Sequence, residues 1–316
     1  MIIDSGSDAP MASRSSGRLT IVANAGRSGS TYLWQLLQAN QAAKTVFHED
    51  IPVQVSLPRQ FNRAYSQERR TRVLASSEIN GYLSRWRDLL AQGDVIETGW
   101  TAYHLLPLLD YIFPGQLQVV VLHREPWSVA LSRANMGNYH PRTWYDDCHE
   151  VSPHDPYSIA PDYATLWPSM NHAEKCLFWW FVVYKEIDEF LHTASYVPRI
   201  EISADALFKG DGARQLSDFL ERPLEKQPDV GKNPVSQFML ETFPVSNEHL
   251  AFTRHEKINA FAKERFGYEL DMNRIERQAQ KYRLPKSTMP RIRHALDYWS
   301  RRRRMGQRAR ALLGRQ

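Results

Sequence analysis

Cysteine is nearly absent from this 316-residue chain, with Cys148 and Cys176 the only two. Two thiols cannot build a disulfide framework or a thiolate zinc site, and a reducing, cytoplasmic setting is the expectation. Long apolar runs are lacking as well. The most apolar stretch, CLFWWFVVY, covers residues 176–184, far short of the roughly 20 residues a helix needs to cross a bilayer. It continues into KEIDEFLHTA and reads as part of a buried helix over 172–194. The opening residues MIIDSGSDAPMASRSSGR hold no long apolar core and carry Asp4 and Asp8, which argues against a secretory signal or transit peptide. No metal-ligand spacing is found either: DDCHE and the other histidines form no such pattern, so no metal is expected.

What is there is a globular composition, 42% hydrophobic, 24% charged and 11% aromatic. It is enough for a large core with aromatics left for a pocket lining. The net charge of +5 hides an asymmetry. Residues 274–315 carry 14 Lys and Arg against only Glu276 and Asp297, leaving 26 basic and 33 acidic side chains elsewhere. A mildly acidic body therefore bears a strongly basic tail, with RRRR at 301–304. Such a block is either a solvated tail or a patch for an acidic membrane surface, and nucleic acid is the weaker fit. The expected division is a loose tail over 1–17, one α/β domain over 18–272 and a basic extension over 273–316.

Five strands are expected, in RLTIVANA (18–25), KTVFHED (44–50), DVIETGW (94–100), LQVVVLHREP (117–126) and VPRIEIS (197–203). Helical patterns alternate with them, which predicts an α/β fold with a mainly parallel central sheet, like that of P-loop nucleotide-binding proteins. A basic helical stretch is expected over about 66–91, and Gly267 as the cap of the helix in HEKINAFAKERFGYEL. Regularity fails over 137–169, where five prolines and interleaved Trp and Tyr suggest a lid or substrate wall.

The chemistry concentrates in two segments. VANAGRSGSTYLWQLL leads from a strand through a Gly/Ser turn into a helix. Free N–H groups and a partial positive charge at a helix start attract anions. Gly26 and Gly29 let the backbone wrap closely, Ser28, Ser30 and Thr31 add hydroxyls, and Arg27 adds a forked cation. The lysine of a triphosphate loop is missing, because Gly29 stands before Ser30. No apolar strand ends in the aspartate that would help hold magnesium. In the second segment, VVVLHREPWSVALSRANMGNY, Arg124 follows a buried strand and Ser132 lies eight residues on. Strand ends of this kind face the binding crevice. Arg124 could equally pair with Glu125 or another local acid.

In this order the two segments resemble the sulfotransferases that use 3′-phosphoadenosine 5′-phosphosulfate. GRSGSTYL resembles the family's 5′-phosphosulfate loop, and LHREPWSVALS its 3′-phosphate segment. VFHED, DVIETGW, VPRIEISADALFKGDGARQLSDFLE and RFGYEL are looser similarities, and together they span 18–270. The resemblance implies that Arg27, Ser28, Gly29, Ser30 and Thr31 hold the phosphosulfate end, with Arg27 also offsetting charge on the leaving bridging oxygen. It implies that Arg124 and Ser132 grip the 3′-phosphate and that Tyr32 lies near the adenine. The co-substrate would leave as adenosine 3′,5′-bisphosphate.

Sulfuryl transfer to a hydroxyl or amine needs a base for the acceptor's proton. Members acting on small phenols and steroids use a histidine after the third strand, where this chain has Gly99. Their late Arg-Lys-Gly motif is missing too, with Lys232 of GKNP the only substitute in view. The pattern is nearer to carbohydrate, tyrosyl-protein and bacterial-type members, which use a glutamate after the second strand. Glu49 is its match. His48 and Asp50 flank it, and Glu97 and His104 stand behind as further candidates. The acceptor is expected to be a small molecule, glycan or lipid. Two other readings stay open: a P-loop nucleotide or small-molecule kinase, and a non-catalytic protein that binds through its basic tail.

Overall fold

The computed structural model describes residues 17–50, 77–140, 151–155, 158–228, 237–245 and 247–283. Five parallel strands form one sheet: β1 (Leu19–Ala23), β2 (Thr45–Phe47), β3 (Val95–Glu97), β4 (Leu117–His123) and β5 (Arg199–Ser203), in the order β2-β3-β1-β4-β5. The α/β expectation holds, and all five strands fall where the sequence places them.

The two central strands, LTIVA and LQVVVLH, are buried along their whole length. That is why they read as continuous apolar runs, with helices covering both faces. Alternate side chains serve opposite faces. Leu19, Ile21, Ala23, Leu117, Val119 and Val121 enter one core, while Val22, Val120, Leu122 and Ile202 enter the other.

The helices are α1 (Ser30–Ala39), α2 (Ser77–Leu90), α3 (Leu106–Ile112), α4 (Pro126–Asn135), α5 (His172–Thr193), α6 (Ala204–Lys209), α7 (Asp211–Leu220), α8 (Gln237–Thr242), α9 (Glu256–Phe266) and α10 (Met272–Ala279). Leu33, Leu36 and Leu37 of α1 and Leu216 and Leu220 of α7 cover the second face, and α2 to α5 supply most of the first. The long apolar helix is α5. A capping box starts it, with Asn171 and Glu174 each bonding the other's backbone N–H. Gly267 closes α9 at φ +71°, the left-handed cap expected of it.

Two expectations change. Packing does not break at residue 272: Ile275 and Ala279 of α10 are fully buried in the main core, and the Val245 N–H donates to the Tyr282 carbonyl. The proposed lid also behaves differently where it is described. Tyr163 and Trp167 pack on Phe178 of α5, with Tyr163 also stacked on His255. These aromatics pack onto the core. Trp144, Tyr145 and Tyr157, Lys232 of GKNP, residues 66–76 and the 301–304 arginines lie outside the described residues. No helix among the described residues is long and apolar enough to cross a membrane.

Candidate active site

The expected site residues gather at the C-terminal ends of four parallel strands, where ligands of open α/β sheets bind. The turn after β1 is built from left-handed backbone: Gly26 has φ +72°, Arg27 φ +57° and Gly29 φ +95°. Asn24 shapes it from inside. Its Oδ1 accepts the Gly26 N–H at 2.9 Å, and its Nδ2 donates to Val22 O and, at 3.3 Å, to Thr98 O on the neighbouring β3 end. Gly29 is the N-cap of α1 and offers no side chain, so no side-chain cap covers the first N–H groups of the helix. Successive N–H groups in such a turn form an anion-binding concavity. Ser28 is fully buried and its hydroxyl donates inward to Gly26 O at 3.2 Å, so of this residue only the backbone suits an anion.

Three arginines surround the turn. Arg27 Nε donates to Ser132 Oγ at 2.9 Å, and Arg124 Nη1 donates to the Arg27 carbonyl at 3.3 Å. Thus the two motif segments, about a hundred residues apart in the chain, touch each other. Arg124 does not pair with Glu125, whose carboxylate receives Ser128, Gln278 and Arg274 instead. The third cation, Arg133 on α4, is buried behind the turn and donates to Ala25 O at 3.1 Å. Arg27 is exposed as a residue, and its bond to Ser132 is partly buried. Burial lowers its pKa, and Arg133 and Arg124 add to this, against the opposing pull of Tyr282 and Glu49. An arginine stays charged under such a shift, so the site holds a concentration of positive charge.

The double tryptophan of α5 fixes both loops from below. Trp179 Nε1 donates to Ala25 O and Trp180 Nε1 to Arg124 O, each at 3.0 Å. Tyr32, on α1, meets Phe208 edge to face at 5.1 Å and donates its hydroxyl to Gln227 at 2.8 Å. The exposed Phe208 also overhangs Gly29, where an added Cβ would stand 3.1 Å from its ring.

The opposite edge carries the candidate bases. Glu49 is exposed at φ +59°. Its unusual backbone is held by Glu97, a fully buried carboxylate that accepts the N–H groups of Glu49 and Asp50 at 2.9 Å each and that of Gly99. Glu97 therefore spends its carboxylate on backbone N–H groups. Asp50 is bound by Arg85 and, at 2.7 Å, by Trp86 Nε1. His48 has both ring nitrogens engaged, Nε2 with Thr31 Oγ1 at 3.2 Å and Nδ1 with Thr98 Oγ1 at 3.0 Å. Because the Thr98 hydroxyl donates to Phe47 O, Nδ1 carries the ring proton and Nε2 accepts from Thr31. Burial lowers the pKa of His48 despite Glu49 beside it, which favours this neutral form. His104 is buried against Tyr103 and Trp179. Of the five candidates, Glu49 alone has an exposed side chain without a described hydrogen bond or salt bridge.

Gly99 shows why a histidine is absent after β3. A Cβ there would lie 2.5 Å from Glu49 N and 2.8 Å from Glu49 Cγ. The Glu49 turn occupies the room that a side chain at 99 would need.

No family model matches the chain, and no curated protein sequence does. Three similar solved structures are sulfotransferases or sulfotransferase domains. The sulfotransferase domain from the curacin biosynthetic pathway shares 18% identity with a TM-score of 0.38, over 85% of this chain and 99% of that one. The sulfotransferase from Alicyclobacillus acidocaldarius shares 12% with a TM-score of 0.44, over 82% and 98%. The sulfotransferase domain of the Synechococcus PCC 7002 olefin synthase shares 14% with a TM-score of 0.36, over 85% and 95%. Similarity at this level assigns no activity to this chain. Among the described residues, no three His, Cys, Asp or Glu side chains gather as a metal site.

The Glu97 clamp has a pH signature. Burial raises this carboxyl from the usual 4.5 to about 7, against the lowering effect of the three N–H donors. The folded chain then holds a proton that the unfolded chain releases near pH 4.5. The resulting stabilisation is complete below that pH and is lost as the pH rises through about 7. Melting curves from pH 5 to 7.5 are expected to fall by the equivalent of about 2–3 kcal/mol from this group. Glu97→Gln is expected to flatten that slope, and an unchanged slope would remove Glu97 as its source.

Proposed function

We propose that the chain is a sulfotransferase that moves a sulfuryl group from 3′-phosphoadenosine 5′-phosphosulfate to an acceptor hydroxyl or amine. The observation that carries this reading is the contact of the two anion segments, with Arg27, Ser132 and Arg124 joined around an uncapped helix start. A ligand with phosphates on the 3′ and 5′ positions of one ribose needs two such anion sites side by side. A triphosphate loop would need a lysine where Gly29 stands.

In this reading the backbone N–H groups at 29–31 and Arg27 hold the phosphosulfate, while Arg124 and Ser132 hold the 3′-phosphate. Tyr32 and Phe208 offer apolar surface to the base. Glu49 accepts the acceptor's proton as the acceptor oxygen or nitrogen bonds to sulfur. The bond from sulfur to the bridging oxygen breaks at the same time, and its electron pair leaves with the bisphosphate. Arg27 stabilises that developing charge. His48 holds the Thr31 hydroxyl in place through the bond at Nε2.

Calorimetric titration with adenosine 3′,5′-bisphosphate tests the reading. Binding that is weakened more than tenfold in Arg124→Ala is expected; no binding by the wild-type chain would refute it. ATP with magnesium is the control for the kinase reading. Labelled donor screened against phenols, glycans, lipids and tyrosine peptides would identify the acceptor class.

A further inference from the structure

Arg133 follows Ser132 in the second segment without a role assigned to it, yet it is the most deeply buried of the three arginines, with 4% of its surface exposed. Its guanidinium lies over the Trp179 ring at 4.3 Å and the Trp100 ring at 5.3 Å. Nη1 donates to Ala25 O, a carbonyl already reached by Trp179 Nε1. Its Nε has no hydrogen-bond partner, and no carboxylate among the described residues forms a salt bridge with it. The neighbouring element is the anion turn itself, since a Cβ added to Gly26 would stand 3.1 Å from Nη1.

A buried cation without a counter-ion is costly to the fold, and two indole faces offset that cost only in part. Arginine cannot escape by losing its proton. We propose that Arg133 is a positioning residue that presents a fixed positive charge to the back of the turn and gains its counter-ion when an anionic ligand group binds in front. Arg27 and Arg124 meet the ligand from the open side. Arg133 acts through the Ala25–Gly26 backbone, in surroundings of low polarity where a charge is felt across several ångströms. Anion binding and the stability of the fold are thereby coupled through one side chain. The inference rests on the reading of this turn as the donor site.

The test is thermal melting and calorimetry of the full chain with adenosine 3′,5′-bisphosphate and, separately, inorganic pyrophosphate, for wild type, R133M and R133K. R133M fills the space without charge and is expected to melt, ligand-free, at or above the wild-type temperature. It is also expected to bind at least tenfold more weakly and to lose most of the ligand-induced shift. R133K keeps the charge and is expected to retain at least half of that shift. Unchanged affinity in R133M would overturn the proposal. So would a ligand-free R133M that melts well below wild type or does not fold, because the guanidinium would then be holding the fold together. The donor reading fails separately, if the wild-type chain does not respond to the bisphosphate. A response to pyrophosphate alone would sink the nucleotide assignment, and Arg133 would be judged with that ligand. Silence toward both anions overturns both.

Discussion

Replacing Glu49 by glutamine is expected to lower turnover by a factor of about 100 or more, since a positioned general base contributes 10²–10⁴-fold. Affinity for adenosine 3′,5′-bisphosphate is expected to stay within about threefold, because the side chain does not bond the turn and the charge change is partly screened at an exposed position. The contrast between lost turnover and kept binding separates a base from a structural carboxylate. Wild-type turnover in Glu49→Gln would remove Glu49 from the role. Gly99→Ala provides a second route to the same residue. Its backbone, at φ −70° and ψ 141°, tolerates alanine, but the new Cβ would press on the Glu49 backbone. Turnover is expected to fall in that variant although Glu49 itself is intact. Pressure on this turn works against the Glu97 bonds that fix Glu49 at φ +59°.

The same edge shows what the sequence makes legible. Strands β1 and β4 are buried on both faces, so their apolar runs stand out, and the turn after β1 is marked by its glycines. Arg124 could be placed at a strand end but not freed from Glu125, because that depends on Gln278 and Arg274 far along the chain. Arg133 gave no signal. Helix α4 is buried on all sides, so no polar face exposes which of its polar residues has a task. Glu97 reads as an ordinary strand-end acid, since its partners are backbone N–H groups that leave no trace in side-chain identity. The packing past residue 272 is hard to read for a related reason. Arg274, Arg277 and Lys281 dominate the composition there, while Ile275 and Ala279, four residues apart on one face of α10, carry the packing. In the presumed lid, Tyr163 and Trp167 looked available because sequence does not reveal that Phe178 faces them.

Arg27→Ala is expected to be the most damaging substitution in the turn. Loss of a charge-assisted contact worth roughly 1.5–3 kcal/mol predicts bisphosphate binding more than tenfold weaker. Turnover at saturating donor is expected to fall a further 10²–10³-fold if Arg27 meets the charge that develops on the bridging oxygen. The backbone does not confound this comparison, because arginine and alanine carry a similar cost at φ +57°. Arg124→Ala supplies the contrast. In the proposed reading its contact is to the 3′-phosphate, so it is expected to weaken binding by a similar factor while turnover at saturating donor stays within about threefold. Equal losses of turnover in the two variants would mean that the arginines act as one electrostatic unit and not at opposite ends of the donor. The bond from Arg27 Nε to Ser132 Oγ gives that outcome a structural basis, and Ser132→Ala decides it. If Arg27 works alone on the leaving oxygen, Ser132→Ala shifts donor affinity and spares turnover. If the network acts as a unit, it lowers both.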